Sequence, residues 1–486
     1  MSVTTFWGSI LTVRVSSAAP DADPPVWVDI SDFVTLRSGD LEIASGRQTV
    51  LVGDDPAQAM FALNNDDHRF TPGNPLSPYF PWWKEARRIS IQERVGGVTF
   101  DLFDGNIQVP GVEAVTDPVD GQGTELTVGI SAMDRLARLQ TARPFPSTVG
   151  AQILSSAAAP ALRAYFPLSE AVGPFYRPVV GTVDPLEEAP IVVADPTAVA
   201  SADGFAAASG GPIAANDVRV VSFAPQMKLS GATYSPIAYT QLVTNFGAGT
   251  VAANSVISMA VWVSPDPASL DAQWRVAELG FSNGLSGGFL RLRRTDSTES
   301  PGGVWKAFFA DDFSAVWSAS AYGVHAGAKP TLLAIRADLL ANTMSLFVDG
   351  TEYPATVTGT MVTSGLLSAL NVGYAFTGAM GDLQIYVGTQ AVNYDLAAHR
   401  AQLAVGFYAL DQQYTGQRIH TILDYAGVPA SLRDIDPGVA VMSPVSLAGK
   451  TPGTALEEAR RTEQGRLFMS GNGRVQFRDR TRLYNV

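Results

Sequence analysis

Four histidines are the first residues to test for chemistry: His68, His325, His399 and His420. They lie in different segments, form no His-x-x-x-His pair, and have no cysteine to join them. Zinc needs three or four nitrogen, sulfur or oxygen ligands converging on one point, and local spacing supplies no such set. Structural or solvent-facing roles are expected, with His420 partly buried beside the apolar positions of a helix. The run Asn64-Asn65-Asp66-Asp67 offers oxygens to a hard cation but lacks the Asp-x-Asp-x-Asp-Gly alternation and closing Glu of a calcium loop. Asx turns, in which these side chains bond their own backbone, are expected there, and Asp54-Asp55 and Asp311-Asp312 read the same way. Neither a metal nor a cofactor is expected.

Catalysis fares no better. Glycoside hydrolysis uses two carboxylates flanking one bond. No Glu-x-Asp-x-x-Glu occurs in 160–405, and Glu187-Glu188, between Pro185 and Pro190, reads as a loop. Ala208-Ser209-Gly210-Gly211 is not a Gly-x-Ser-x-Gly elbow, and Gly284-Leu285-Ser286-Gly287-Gly288 has no Lys-Ser/Thr after it. The chain reads as non-enzymatic.

Aromatic residues are the better candidates for recognition. Trp305, Trp317, Tyr322 and Tyr374 fall near turn-rich segments, where an exposed ring can stack on the apolar face of a pyranose; packing between sheets is the alternative. Trp262, in mid-strand, is assigned to a core. The loop Tyr79-Phe80-Pro81-Trp82-Trp83 makes Tyr79, Phe80, Trp82 and Trp83 candidate interface residues that dock into a neighbouring subunit, with a lid over their own core as the alternative.

These residues must be positioned by several cores, since 486 residues exceed one ordinary domain. With 46% hydrophobic and 16% charged residues the chain is globular, and the 45 glycines and 31 prolines punctuating short apolar runs favour sheets over long helices. A net charge of −13 without any Lys/Arg block argues against phosphate-backbone binding, so no nucleic-acid partner is expected. Met1 to Val13 lacks a basic n-region, and no apolar run reaches about 18 residues, so neither a signal peptide nor membrane insertion is expected.

Strands are expected at Phe6–Val15 and Val26–Leu36 as a hairpin, then at Thr49–Leu51, Ala59–Leu63, Arg88–Arg94, Val98–Gln108 and Glu125–Ala132. The Ser-, Ala- and Pro-rich stretch 144–160 reads as a linker with one short helix at 150–158. Further strands are expected at 164–168, 256–263, 275–279, 289–293, 331–336, 344–348 and 381–387, a spacing that predicts a two-sheet sandwich. Beyond 405 the periodicity of Ile419, Ile422, Leu423 and Ala426 predicts a helix over 416–426, capped by Thr415 and ended by Gly427. A second helix is expected from Thr454 with a capping box to Glu457, then a hairpin about Gly471-Asn472-Gly473.

Several of these segments resemble a known family. The succession Trp27-Val28-Asp29-Ile30-Ser31, Gly46-Arg47-Gln48, Leu63-Asn64-Asn65-Asp66-Asp67-His68-Arg69-Phe70-Thr71-Pro72-Gly73-Asn74-Pro75 and Ser77-Pro78-Tyr79 is similar to the opening of minor tail proteins from siphophages of actinobacteria. His68 stands where that family more often has Gly. Tyr425-Ala426-Gly427, Glu463-Gln464-Gly465-Arg466-Leu467-Phe468 and Phe477-Arg478-Asp479-Arg480 resemble the family's later segment. Together these two parts cover somewhat under half the chain. The middle is similar to concanavalin A or laminin-G sandwiches in Tyr165-Phe166-Pro167-Leu168, Ala260-Val261-Trp262-Val263, Leu346-Phe347-Val348-Asp349-Gly350 and the stretch from Gly378 to Tyr386.

What the resemblance implies is a mainly β protein: a hub-type β-barrel scaffold with short helices, in residues 1–150 and 406–486, interrupted by a concanavalin A-like jelly-roll sandwich at 158–405. It implies a virion component at the tail tip or baseplate, assembled in the host cytoplasm as a homotrimeric or homohexameric ring beside other tail-tip proteins. The sandwich is then the candidate for contact with host-surface glycans. Rival readings are a tail-associated cell-wall hydrolase or depolymerase, and a distal tail adaptor without host contact.

Overall fold

The computed structural model describes residues 9–19, 24–35, 41–46, 55–116, 125–168, 175–176, 179–180, 186–192, 206–207, 227–229, 238–251, 255–265, 274–282, 287–294, 304–311, 316–321, 331–355, 365–373, 378–389, 396–408 and 410–484. The protein is mainly β, with antiparallel sheets and short helices. No helix among the described residues is long and apolar enough to cross a membrane. The chain divides into two compact units: Met1–Pro144 with Gln412–Ser443 and Lys450–Val486, and Phe145–Asp411 with Pro444–Gly449.

The first unit is built on an eight-stranded sheet ordered 27–29, 10–16, 88–95, 98–116, 125–133, 55–64 and 34–35, with 42–46 also pairing 55–64. Trp27–Asp29 pairs antiparallel with Ile10–Ser16, as the hairpin expectation required. Alternation along each strand sends Val13, Phe61, Ile89, Ile91, Phe103, Val128 and Ile130 into one apolar core. Each such side chain contributes about 1.5–3 kcal/mol on leaving water. The expected strand at Thr49–Leu51 lies outside the described residues.

Helices and a small sheet complete this unit. Thr415–Tyr425 buries Ile419, Ile422 and Leu423, and Gly427 ends it at φ +70°. Its first turn differs from expectation: Gln417 Oε1 accepts from the Tyr414 amide at 3.0 Å, while the Thr415 hydroxyl turns inward to Glu463 at 2.6 Å. Pro452–Glu463 is capped by Thr451, whose hydroxyl accepts from the Thr454 amide at 3.2 Å. The cap therefore lies three residues before the expected one, and Glu457 pairs instead with Arg460 and Arg461. Arg466–Met469 and Val475–Arg478 form the expected hairpin, with Arg433–Ile435 added in parallel.

The second unit is a sandwich of two eight-stranded sheets. One contains Ala238–Val251, Gly365–Val372, Trp274–Ser282, Gly287–Arg294, Trp305–Asp311 and Val316–Ala321; the other contains Gly378–Gly388, Val256–Pro265, Thr331–Asp338 and Thr343–Val348. Met259, Val261, Ile335, Leu346 and Ile385 from the second sheet meet Leu279, Leu290, Trp305, Phe309 and Leu370 from the first in one core. The outer face of the second sheet is covered as well, by Val149 and Ile153 of helix Thr148–Ser155 packing on Ala260, Ala334 and Tyr386. Burial on both faces explains why Val256–Val263 is apolar at every position but Ser258, without alternation.

Two expectations are corrected here. The stretch expected as a linker is a packed element: Thr148 and Val149 are fully buried, and the Thr148 hydroxyl donates to Val445 O and accepts from the Leu447 amide, both at 3.1 Å. Glu187-Glu188 is in the strand Leu186–Val192, paired with Ala238–Val251, where adjacent side chains point to opposite faces.

Candidate functional site

In the first unit the aromatic loop closes on its own sheet. Asn65, fully buried, organises it: its Oδ1 accepts from the Phe70 amide at 2.8 Å and its Nδ2 donates to Thr71 Oγ1 at 3.0 Å. Asp66 Oδ1 accepts from the Leu126 amide at 2.9 Å, and Asp67 clamps Arg69, which holds the Asp67 carboxyl below its ordinary range. These are the expected Asx-type turns, with the oxygens committed to the chain itself. His68 occupies φ +58°, the left-handed region that Gly adopts freely, so the turn keeps its geometry with a side chain in place. The Arg69 guanidinium lies 4.0 Å from the Phe33 ring centre.

That scaffold seats the aromatic cluster. Phe70 is fully buried, its ring 5.3 Å from Tyr79 and 4.9 Å from Trp83. Tyr79 at 9% and Trp83 at 4% exposure belong to the unit's core, and Trp82 packs against it. Within one chain the lid alternative therefore describes Tyr79, Trp82 and Trp83, and the docking expectation for Tyr79 and Trp83 is corrected by their burial. Phe80, 49% exposed, is the ring this loop presents outward.

The candidate glycan residues separate similarly. Trp305 is 1% exposed between the two sheets and cannot stack on a sugar, which corrects its assignment. Trp317 is in Val316–Ala321, in register with Phe309. Tyr322 and Tyr374 lie outside the described residues. Trp262 is core, as expected, at 1% exposure. His399 is buried, which pushes its imidazole down to about 3. His420, expected to be partly buried, is exposed on its helix, and what desolvation it has lowers its imidazole too. No group of three or more His, Asp or Glu arranged to hold a metal occurs among the described residues.

Sequence reasoning missed a buried polar layer on the second sheet. Tyr165 donates to Asp382 Oδ1 at 2.6 Å, both fully desolvated. Burial lifts the Asp382 carboxyl to about 7 despite that bond. Gly150 makes room, because an added Cβ would collide with the Tyr165 hydroxyl. Tyr386 donates to Gln384 at 2.7 Å, and Gln384 exchanges hydrogen bonds with Gln402 at 2.8 and 2.9 Å. The neutral groups of Tyr386, Gln384 and Gln402 join strand to helix without a buried ion.

The outward face of the other sheet was missed too, because its parts are dispersed in sequence and meet only through strand register. Glu278, Arg291 and Phe308 stand side by side on three adjacent strands, and Asn371 on a fourth donates to Glu278 Oε1 at 3.3 Å. Arg291 pairs with Glu278 and lies 4.1 Å from the Phe289 ring centre; Arg293 lies 4.4 Å from that of Phe308. All six side chains of this face just named, Asn371 included, are partly exposed. Fixed charge, an amide and aromatic faces on a rigid sheet are the ingredients of a polar-ligand site.

No family model and no curated protein matches the sequence. Among solved structures, the chain is similar to the botulinum neurotoxin serotype D binding domain (10% identity, TM-score 0.35, 53% of this chain and 55% of that one). It is also similar to the serotype C1 binding domain (8%, 0.35, 53% and 55%) and to Trypanosoma rangeli sialidase in complex with sialic acid (11%, 0.30, 82% and 60%). The chain thus spans little over half the length of the structures it matches. Similarity at this level assigns neither a ligand nor an activity.

Proposed function

We propose that this protein is a structural minor tail protein at the tail tip of an actinobacterial siphophage, a ring-forming scaffold whose sandwich meets host-surface glycans. One observation carries the reading. The two sets of segments that resemble minor tail proteins, within 27–79 and within 425–480, are separated by most of the chain and yet fall in a single compact unit. A discontinuous scaffold tolerates a domain between its halves when that domain has its own core, and the sandwich has one. The glycan part of the reading rests on the charged and aromatic sheet face. Repeated copies in a ring would convert weak single-site affinity into avidity.

Mass photometry and negative-stain imaging of the purified full chain test the scaffold: a trimeric or hexameric ring is expected, and a monomer at micromolar concentration would overturn it. Incubation with purified actinobacterial cell walls tests the sandwich, with co-sedimentation expected. Release of reducing sugar would move the assignment to a wall hydrolase, and absence of co-sedimentation to an adaptor without host contact.

A further inference from the structure

The face that carries Glu278 and Arg291 has a second row one step along the strands. In that row Arg293 of Gly287–Arg294 is opposite Lys306 of Trp305–Asp311, which is followed by Ser320; on the other side Arg293 is in register with position 275 of Trp274–Ser282, also an arginine. Residues directly opposite in an antiparallel ladder share a face, and neighbouring strands are about 4.8 Å apart. Three cationic positions therefore fall within about 10 Å on consecutive strands. Arg291 in the adjoining row adds a fourth cation, next to the carboxylate of Glu278.

The setting sharpens the contrast. The chain as a whole carries −13, so a cationic strip on one sheet face runs against its average and gives a negatively charged ligand a place to approach. The strip is also stiff. Arg293 is braced over Phe308 and Arg291 over Phe289, and the strands beneath are anchored by Leu290, Leu292, Trp305 and Ala307 in the core. Guanidinium groups held in this way match carboxylate and phosphate oxygens with little ordering cost.

We infer that Arg293 and Lys306, with Arg291 beside them, form a binding strip for an acidic glycan, a polymer whose carboxylate or phosphate groups recur along a sugar or polyol backbone. This inference rests on the glycan reading of the sandwich and specifies its ligand class.

The test uses the full-length protein and four probes: polygalacturonate for carboxylate, poly(glycerol phosphate) for phosphate, dextran as a neutral glycan, and single-stranded DNA as a polyanion without sugar hydroxyl faces comparable to a pyranose. Affinity is measured by titration at low and moderate salt. Binding to one or both acidic polymers is expected, weakening with salt, and stronger than to dextran or DNA. The double variant Arg293→Gln/Lys306→Gln should lose on the order of tenfold or more in affinity, and Lys306→Arg should retain it. Unchanged melting of the double variant and rescue by Lys306→Arg separate lost charge from lost fold.

Acidic-polymer binding that the double variant leaves intact overturns the strip. Binding to dextran or host walls without any preference for acidic polymers also overturns it while leaving the glycan reading standing. No binding to any glycan or wall sinks both, and equal affinity for DNA replaces an acidic glycan by polyanions in general.

Discussion

In the unit formed by both chain ends, remote segments are joined by charge. Glu463, fully buried, accepts from Thr415 and from the amides of Val439 and Ala440 at 2.6, 2.9 and 2.8 Å, with Arg480 at 3.6 Å. Burial would raise its carboxyl, but those hydrogen bonds hold it below the ordinary value. Asp436 accepts from Arg478, Arg482 and the Asp479 amide, all more than 40 residues further along the chain. The sandwich joins remote strands and helices by ladders and by uncharged donors, Tyr165 to Asp382 and Gln402 to Gln384, beside the cross-strand ion pair of Arg291 and Glu278. Both units must choose among distant partners: the first does so with directional charged contacts, whereas in the sandwich remote strands such as Leu162–Phe166 and Gly378–Gly388 are selected by ladder register.

The comparison breaks most directly at the cores. Trp83→Ala and Trp305→Ala should each destabilise by about 3–5 kcal/mol, the first in the unit of chain ends and the second in the sandwich. Calorimetry of the full chain should show one substitution lowering one transition and the other a different one. Equal depression of every transition by either variant would mean that the two units do not unfold separately.

A pH series sharpens it. Burial lifts Asp382 to about 7, above the value near 4 of an unfolded aspartate. The contribution of this carboxyl is therefore complete below about pH 4 and lost as pH rises through 7. Asp382→Asn, which keeps an acceptor for Tyr165, should remove that slope and gain up to about 4 kcal/mol over the parent between pH 4 and 8. His399, lowered to about 3 by burial, acts in the opposite sense, its contribution being present above pH 6.5 and lost on acidification. It is common to both proteins and cancels in the difference. A parent and variant with parallel pH profiles would show that Asp382 is ionised without penalty.

The smallest effect is expected at Gly471. An added Cβ there would collide with the Asp101 carbonyl, so Gly471→Ala should cost about 1–3 kcal/mol in the unit of chain ends. Gly129→Ala, where a Cβ meets nothing within 4 Å, is the control and should stay within about 0.5 kcal/mol. A Gly471→Ala protein as stable as this control would show that the C-terminal hairpin is not seated on the strand Val98–Thr116 but is free to shift.

Much of the β framework was legible because strand burial writes itself into residue pattern. The sandwich is a case in point: Met259–Val263 and Leu332–Ile335 are apolar throughout since both faces are covered, whereas in the other unit 126–131 alternates since one is not. Caps were less legible: Thr415 and Thr454 have the right residue type, but a hydroxyl bonds whichever partner the fold brings near, and Pro452 at the first helical turn was the overlooked sign of a cap at Thr451. The helix at 148–155 was legible as a short element expected at 150–158, but not its packing, since a Ser- and Ala-rich composition says nothing of what Val149 and Ile153 will meet. The aromatic candidates misled for a related reason, since Trp83 and Trp305 carry the same local signal whether a partner ring, a sheet or a ligand covers them. The cationic row was illegible altogether, because adjacency across strands is fixed by register and not by spacing along the chain.

The sandwich's first and last strands have a mechanical consequence. Leu162–Phe166 pairs antiparallel with Gly378–Gly388, Tyr386 opposite Leu162, so the chain arrives and departs at the same end of one ladder. Tension applied through those two points would peel the bonds singly, the weak direction of a β ladder, where a pull along the strands would load them all together. What resists the peel is the pair of flanking helices: Thr148–Ser155, with Val149 and Ile153 in the layer under Tyr165, and Leu396–Tyr408, with Gln402 bonded to Gln384. They work as a clasp, and the force at which the clasp opens, not the strength of the sandwich behind it, sets the load this domain can bear.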